Sequence, residues 1–250
     1  MIKYIDDTSK EDLIRLCAEQ TIFSCRIMCW YNSYGLHYDF LRFWVQYVDG
    51  SAAAAIAKYY DSVTVFLTDK SDMTELRNFL EMTGFSNVVS EKMIFKENTS
   101  VGTVMTLSDL QYRTTPCESV AVNPDLNGIY RLLSRNKGKG FAVPSYEDFI
   151  LDVSHKIRHG TMRCTAIKVE DEYISAAMTV AESENCAVIG GVVTDQLYRR
   201  RGYGSVCVRH LIGQLCGKQI LVMREKDSNE AFYQSLGFVD TGVFVTTEVH

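Results

Sequence analysis

A basic, glycine-bearing loop in the last quarter of the chain has residue types that suit phosphate binding. Three consecutive arginines, Arg199–Arg201, precede Gly202 and Gly204. A buried strand is predicted to end near Thr194 and a helix to begin near Tyr203, so free backbone N–H groups and the positive end of a helix dipole meet here. Because glycines lack a Cβ atom, the main chain can approach an anion closely. The run therefore predicts an anion site built from successive amides.

Two common phosphate-binding motifs do not describe this loop. A P-loop requires GxxxxGK[ST], which the sequence lacks. A dinucleotide-binding domain requires GxGxxG after an early strand. Here the spacing is RxxGxG, late in the chain and after a predicted strand hairpin. The formal net charge of −5 does not attract nucleic acid or anionic membranes to the protein as a whole, so the anion site is a local feature.

The elements around the loop alternate between helical and strand-like patterns. Helices are predicted over 124–135, 145–159, 203–216 and 229–236, and strands over 164–169, 173–180, 186–194, 219–223 and 238–248. The helices have apolar residues at helical spacing, and polar turns bound the strands. The strand 186–194 is almost entirely apolar, as central strands are. This order predicts an α/β (α+β) domain with a mixed sheet.

The first half of the chain has a less regular pattern. A helix is predicted from Lys10 to about Cys29, strands over 41–48, 52–59 and 63–67, and a second helix over 73–82. The stretch from Lys96 to Pro116 follows a strand-like run with polar residues. It is the best candidate for a boundary between two domains.

The cysteines and the N-terminal sequence bear on the cellular compartment. Only Cys25 and Cys29 of the eight cysteines lie close together, and their spacing suits one buried helix face better than a zinc site. The N-terminal residues are charged where a signal peptide needs an apolar core. No apolar run reaches the length that spans a bilayer. We expect a cytoplasmic protein with reduced thiols, no bound metal and no membrane anchor.

The RxxGxG spacing resembles the signature of the GNAT acetyltransferases, Q/R-x-x-G-x-G/A. Arg199, Gly202 and Gly204 fill the fixed positions of that signature. The segment from Asn229 to Phe238, NEAFYQSLGF, is similar to the closing helix of the family, although Asn229 lies closer to the Gly-Phe pair than the family's asparagine usually does. The resemblance runs from about Val120 to the C-terminus. It implies a GNAT fold, with a mostly antiparallel sheet flanked by helices, and acetyl-CoA as co-substrate.

The resemblance also implies roles for individual residues. The strand end should pair with the pantetheine arm of coenzyme A, the loop amides should hold its pyrophosphate, and Tyr233 should protonate the departing thiolate. A phenol suits that last task because it stays protonated at neutral pH. The residues implied to bind the co-substrate are Val192, Val193, Thr194, Arg199, Arg200, Arg201, Gly202, Tyr203, Gly204, Ser205 and Asn229. A purely structural place stays open for Tyr233 in the core and for Asn229 at a helix start.

The leading hypothesis is an N-acetyltransferase whose acceptor is a small-molecule or peptide amine. The base for the amine is not evident, because strand 186–194 carries no carboxylate, and none of the nearby candidates is assigned this role. Those candidates are Glu182, Glu184, His155 and His159. Two alternatives stay open: a non-catalytic acyl-CoA-binding regulatory module, and an acyltransferase that uses another acyl-CoA. The sequence does not indicate the acceptor or the oligomeric state.

The two halves of the chain share a strand–turn–strand pattern. YVDGSAAAAIAKYYDSVTVF resembles KVEDEYISAAMTVAESENCAVI, and FLEMTGF resembles FYQSLGF. Between the matched segments the first half is shorter by about one phosphate loop, one helix and one strand, judged by ordinary element lengths. The sequence therefore predicts a tandem protein, with a degenerate GNAT-like domain over 1–105 and an acetyl-CoA-binding GNAT domain over 106–250. By analogy, tandem GNAT proteins with one degenerate half support this interpretation.

Overall fold

A computed structural model of the protein describes residues 1–108, 119–137, 143–226 and 228–249. The end of the predicted boundary stretch, with Pro116, lies outside these residues. The chain forms two compact units. The first contains Met1–Val104 together with the residues from Asp240 onward, and the second contains Met105–Val239.

The first unit is a sheet with two helices before its central strands and one helix after them. Its strands pair in the order β1-β2-β3-β4-β5, all antiparallel except the parallel pair β4–β5. The elements are β1 (Ile2–Tyr4), α1 (Lys10–Leu16), α2 (Ile22–Tyr34), β2 (Leu41–Val48), β3 (Ser51–Tyr59), β4 (Ser62–Leu67), α3 (Met73–Thr83) and β5 (Asn87–Ser90). Strand β6 (Thr99–Leu107) then leads from the first unit into the second.

The second unit follows the same plan. Its strands pair in the order β7-β8-β9-β10-β11, all antiparallel except the parallel pair β10–β11. The elements are β7 (Val120–Val122), α4 (Leu126–Arg135), α5 (Tyr146–Arg158), β8 (Cys164–Val169), β9 (Glu172–Glu182), β10 (Cys186–Thr194), a 3₁₀ turn (Gln196–Tyr198), α6 (Tyr203–Gly213), β11 (Gln219–Glu225) and α7 (Glu230–Gln234). Strand β12 (Phe238–Glu248) follows, and from Asp240 onward it belongs to the first unit. The predicted fold class, a mixed and mostly antiparallel sheet flanked by helices, is confirmed.

Each unit presents the same element order: a short strand, two helices, an antiparallel meander, and a crossover helix to a parallel strand. The predicted ranges 1–105 and 106–250 differ from the compact units at the C-terminus, because β12 pairs with β5, placing Val245 opposite Ser90. The assignment of one half as degenerate and the other as functional stays a prediction.

The internal match proposed from sequence is corrected by the strand pairing. The segment FLEMTGF belongs to the end of α3 and the turn after it, and α3 connects β4 to its parallel neighbour β5. In the second unit α6, not α7, makes that connection between β10 and β11. The first unit therefore has a crossover helix and a parallel strand. FLEMTGF and FYQSLGF are similar helix ends, but they occur at two different positions of the fold. The sequence comparison missed this difference.

The single helix predicted from Lys10 to Cys29 is wrong, because the chain forms two helices there. Helix α1 ends at Leu16, and Thr21 begins α2 by accepting a hydrogen bond from the Ser24 amide, while the Ser24 hydroxyl accepts one from the Thr21 amide. This reciprocal cap satisfies two amides that a continuous helix would have bonded internally. The predicted burial of Cys25 and Cys29 on α2 is confirmed.

The cysteines and the helices add two further observations. The seven cysteines in the described residues form no disulfide bond, and burial raises the pKa of Cys17 and of Cys164 to about 12. Such thiols stay protonated and unreactive at neutral pH. Among the described residues, no helix has both the length and the apolar character needed to cross a bilayer.

We expect Thr21→Ala to lower the free energy of unfolding by about 1 kcal/mol, because it removes the side-chain acceptor of the α2 cap. Thr74→Ala is the matched control. Thr74 lies in the exposed first turn of α3, where Asp72 is the cap. Urea titration of both variants checks the expectation. Equal stability losses would mean that the Thr21 cap does not determine the start of α2.

Candidate functional site

A bulge interrupts β10 shortly before its end. Gly190 lies opposite Met178 of β9, but the next paired residue, Val193, lies opposite Ala176, so β10 has one residue more than its partner in this interval. Gly191 has a φ of +56°, and a Cβ atom there would lie 2.8 Å from the Met178 methyl carbon. The positive φ favours glycine at this position, and a larger residue would also displace the end of the Met178 side chain.

Strands β10 and β11 pair over only part of their lengths. Their parallel register runs from Cys186 opposite Gln219 to Ile189 opposite Val222. Beyond Ile189, β10 continues to Thr194, so its outer backbone edge extends past the last pair with β11. An extended ligand with amide groups can add to such an edge as a further strand does. The residues predicted to pair with pantetheine, Val192, Val193 and Thr194, lie on this stretch.

The loop after β10 ends at an uncapped helix start. Gly202 is the N-cap residue of α6, with a φ of +83°, and no side chain caps this end of the helix. The first amides of a helix have no partner inside it, and they attract anions together with the helix dipole. The predicted phosphate-binding residues Tyr203 and Ser205 lie in the first turn and are half-buried.

The three arginines of the loop have different surroundings. The Arg199 side chain turns back and donates a hydrogen bond from Nε to the Thr194 carbonyl, at 3.1 Å. The Arg201 guanidinium lies 5.6 Å from the centre of the Tyr198 ring. Arg200 has a positive φ of +64°, and the loop keeps both Arg200 and Arg201 exposed. Arg199 thus stabilises the loop, while the other two guanidinium groups face solvent where a ligand can reach them.

Gly204 has a packing role that the sequence analysis did not foresee. A Cβ atom at this position would lie 3.2 Å from the Thr194 hydroxyl oxygen and 3.7 Å from the Phe232 ring. Thr194 is itself fixed by a 2.9 Å hydrogen bond between its hydroxyl and that of the buried Ser175. Gly204 therefore allows the start of α6 to close against the end of β10, in addition to leaving room near the amides.

Tyr233 is buried in the core of the second unit, on the short helix α7. Its ring packs edge-on against Phe238, with the ring centres 5.7 Å apart, and Val192 of the bulge packs against the same core cluster. Burial raises the pKa of Tyr233 to about 12. The neighbouring Phe232 contacts the start of α6. The structure thus brings Tyr233 into one cluster with the bulge strand and leaves its phenol protonated at neutral pH.

Asn229 and the candidate bases lie outside the loop between β10 and α6. Asn229 is the exposed N-cap residue of α7, with a φ of +56°, and its side chain makes no capping hydrogen bond. His155 and His159 stack on each other on α5, with ring centres 4.1 Å apart. Glu184 lies exposed in the turn between β9 and β10, at the opposite end of β10 from Thr194.

Glu182 is a buried carboxylate with a structural environment. It lies 3.0 Å from the Lys218 ammonium and 3.4 Å from the Arg163 guanidinium, and it accepts a 2.8 Å hydrogen bond from the Thr179 hydroxyl. Two cations and a hydroxyl therefore compensate its charge. Like Glu184, it lies at the hairpin end of β10, whereas the bulge lies near the other end. Glu182 is therefore not placed to act as a base for chemistry beside the bulge.

One contact of the loop could not be found from sequence. Asp195 follows β10 directly and accepts a hydrogen bond from the Leu197 amide, at 3.1 Å, while its second carboxylate oxygen lies 2.9 Å from Nε of Arg135. Arg135 is the last residue of α4. The only sequence signal for this pair is a basic residue in the last turn of a predicted helix, which is a common feature and names no partner.

Comparisons with known proteins give a family match within the second unit. Residues 126–238 match the model of the Acetyltransferase (GNAT) family. A comparison with curated proteins gives no match. The matched segment lies inside the second unit and contains the bulge, the loop, α6 and α7. The predicted resemblance to GNAT acetyltransferases is confirmed.

Solved structures share the fold over nearly the whole chain. A tandem GNAT protein from the clavulanic acid biosynthesis pathway has a TM-score of 0.62 at 11% identity, with 99% of this chain and 98% of that chain covered. A GNAT-family acetyltransferase from Colwellia psychrerythraea has a TM-score of 0.59 at 13% identity, with both chains covered completely. A GNAT-family protein from Novosphingobium aromaticivorans has a TM-score of 0.57 at 15% identity, covering 92% of this chain and 100% of that chain. These likenesses support a tandem fold of two GNAT-like units.

We expect Gly202→Glu to weaken coenzyme A binding at least about tenfold, because a carboxylate would then face the uncapped start of α6. Gly217→Glu is the matched control. Gly217 has a φ of +82° after the other end of α6, and a Cβ atom has open space at both positions. Both variants thus bear the same backbone strain and the same added charge. Isothermal titration calorimetry that gives equal affinities for the two variants would contradict an anion site at this loop.

Proposed function

We propose that this chain, which carries a GNAT acetyltransferase domain over residues 126–238, transfers an acetyl group from acetyl-CoA to a primary amine. The main observation behind the proposal is that the start of α6 is uncapped and follows a loop in which Gly202 has a left-handed backbone conformation. Backbone amides at such a position bind a pyrophosphate without requiring a charged side chain. The exposed Arg200 and Arg201 add positive charge beside them.

The β10 strand end supports binding of the rest of the co-substrate. The pantetheine arm has two amide groups, and the edge of Val192–Thr194 offers backbone donors and acceptors past the last pair with β11. Val192, beside the bulge at Gly191, packs against the core cluster that contains Tyr233, which supports a place for the acyl end of the co-substrate near that cluster. Binding of pyrophosphate and pantetheine together therefore fixes the thioester along β10.

Acetyl transfer then proceeds by direct attack of a neutral amine on the thioester carbonyl. The nitrogen–carbon bond forms, the carbon–sulfur bond breaks, and the electron pair of that bond leaves with sulfur as a thiolate. Tyr233 supplies a proton to the thiolate and recovers one from solvent, and the excess proton of the amine leaves to solvent. A donor aimed at sulfur stabilises the transition state more than the bound thioester, because negative charge develops on sulfur only as the bond breaks.

The experiment that tests the proposal is thiol release from acetyl-CoA across a panel of amines. The panel should include small polyamines, amino acids, aminoglycosides and peptides with free N-termini. Turnover on at least one amine supports the proposal. Tight acetyl-CoA binding without turnover on any amine favours the non-catalytic acyl-CoA-binding alternative. Faster turnover with a longer acyl-CoA favours the second alternative, an acyltransferase with another acyl group.

We expect Tyr233→Phe to lower turnover about 10²- to 10⁴-fold, as loss of a general acid does. The ring is retained, so the melting temperature and the affinity for acetyl-CoA should change little. Because burial raises the pKa of Tyr233 to about 12, the phenol stays protonated throughout the accessible alkaline range. The wild-type pH profile should therefore show no fall below about pH 11 that depends on this tyrosine.

Two measurements separate this role from a structural one. Steady-state kinetics and thermal melting are compared for Tyr233→Phe and Tyr130→Phe; Tyr130 is a half-buried tyrosine of α4 in the same unit. Joint loss of affinity and stability in Tyr233→Phe would identify Tyr233 as a core residue. Normal turnover would remove it from the mechanism.

We expect one coenzyme A to bind per chain. In the first unit, β4 pairs with β3 in regular register without a bulge. The start of α3 is capped by the Asp72 carboxylate, which accepts hydrogen bonds from the Thr74 and Glu75 amides at 2.9 and 3.1 Å. A carboxylate of the chain thus takes the position that an anion occupies at an uncapped helix.

Calorimetric titration of the wild-type chain with coenzyme A measures the number of sites. Gly202→Glu is the companion variant: with a single site, weakening that site leaves no tight binding at all. Two equivalent sites, or a full-affinity site that survives in Gly202→Glu, would refute the proposal that the first unit has lost the co-substrate site.

A further inference from the structure

Arg135 makes three contacts that join helix α4 to the start of β9 and to the loop that follows β10. Its Nη1 lies 2.8 Å from a carboxylate oxygen of Glu172, its Nη2 donates a 2.6 Å hydrogen bond to the Tyr173 carbonyl, and its Nε lies 2.9 Å from the Asp195 carboxylate. A guanidinium has five donors in a fixed plane, so a single side chain can make all three contacts at once.

Asp195 is the residue through which Arg135 reaches the loop. It follows β10 directly, its amide donates to the Ile174 carbonyl at 2.8 Å, and its carboxylate accepts from the Leu197 amide at 3.1 Å. It therefore determines how the chain leaves the strand and enters the 3₁₀ turn. The chain then passes through left-handed conformations at Arg200 and Gly202. Glycine adopts such a conformation readily, but for Arg200 it is costly unless surrounding contacts maintain it.

The two carboxylates around Arg135 differ in exposure. The Asp195 side chain is 16% exposed, whereas that of Glu172 is 56% exposed. Water screens the pair with Glu172 strongly, so that pair contributes little. The pair with Asp195 is screened less, because that carboxylate is mostly buried although the Arg135 side chain is 38% exposed, and the guanidinium is already oriented by the Tyr173 carbonyl. The energetic connection of Arg135 thus lies mainly with the loop.

We propose that Arg135 is a positioning residue for the coenzyme A pyrophosphate: by holding Asp195, it fixes the loop in the conformation that presents the α6 amides. The inference rests on the proposed function. Arg135 does not contact the phosphate itself in this arrangement. It lowers the cost of binding because the loop is ordered before the ligand arrives, which is the general benefit of preorganisation.

The test compares coenzyme A affinity by calorimetry in the full-length chain and three variants. Arg135→Met removes all three contacts, and Asp195→Asn keeps the hydrogen bond to the Leu197 amide while removing the charge that Arg135 binds. We expect both to raise the dissociation constant for coenzyme A about five- to tenfold. Glu172→Gln is the matched control, because it changes another partner of the same guanidinium outside the loop, and we expect an unchanged dissociation constant.

A double-mutant cycle and a truncated substrate separate positioning from simple stability. The double variant Arg135→Met/Asp195→Asn should bind coenzyme A no more weakly than either single variant, because both act through one contact. With the best amine of the panel, Arg135→Met should raise KM for acetyl-CoA but leave kcat/KM for S-acetylpantetheine, which lacks the pyrophosphate, unchanged. Arg135→Lys should restore affinity only in part, because a lysine ammonium reaches one partner at a time.

Equal affinity losses in Asp195→Asn and Glu172→Gln, additive losses in the double variant, or an equal loss with S-acetylpantetheine would overturn the positioning role. If Arg135→Met does not fold, Asp195→Asn against Glu172→Gln still decides. If the wild-type chain does not bind coenzyme A, the proposed function itself fails. Binding with unaffected variants refutes only the role of Arg135.

Discussion

A helix that crosses between two parallel strands must begin where the first strand ends, and its first amides then have no partner within the helix. In the second unit this constraint falls at the end of β10, where the strand has already separated from β11 after Ile189. One place therefore combines an open strand edge, a turn and an uncapped helix start. Every part of the proposed site, from the bulge at Gly191 to Gly202, depends on how the chain resolves this junction.

The two units resolve the same junction in opposite ways. Both have a parallel strand pair joined by a crossover helix. In the first unit the helix start is satisfied by Asp72, and Glu75 in the first turn adds a second carboxylate. In the second unit the corresponding position is Gly202, which has no side chain to offer. A carboxylate at a helix start takes the position that an external anion would use, so the same topology yields a self-capped helix in the first unit and an uncapped start that suits an anion in the second.

Much of the fold of the second unit could be predicted because its signals are local. Strands β8 and β10 begin and end at the predicted residues, since polar turns interrupt apolar runs there. The break between α1 and α2 was missed because its cap uses Ser24 at the third helical position, where Glu or Gln is the recognisable signal. The RxxGxG loop was found because its residues are contiguous. The contact between Arg135 and Asp195 was not, because residues 60 positions apart share no local pattern.

The packing function of Gly204 illustrates a second limit of the sequence. A glycine in a phosphate loop has two physical explanations, close approach of a ligand and close approach of another part of the chain. Only coordinates distinguish them. Gly202 has open space around the position of a Cβ atom, so its conformation explains it, whereas Gly204 faces Thr194 and Phe232. The motif therefore joins two requirements of different origin: one residue shapes the loop, and the next glycine lets the helix close on the strand.

The burial of Tyr233 affects how it can act. Burial raises the pKa of its phenol to about 12. The group therefore stays protonated and can donate a hydrogen bond, but it gives up its proton with difficulty. Full proton transfer to a thiolate of ordinary basicity is then uphill even after carbon–sulfur cleavage, so the phenol acts mainly by hydrogen bonding to the developing thiolate in the proposed mechanism. The favourable interaction is thus greatest late along the reaction, where the charge on sulfur is largest. A tyrosine packed in the core against Phe238, on the helix whose Phe232 lies beside the start of α6, can be a structural residue and a transition-state donor at the same time. In the proposed mechanism, this rigid packing is what would keep the hydroxyl in position as charge develops on sulfur.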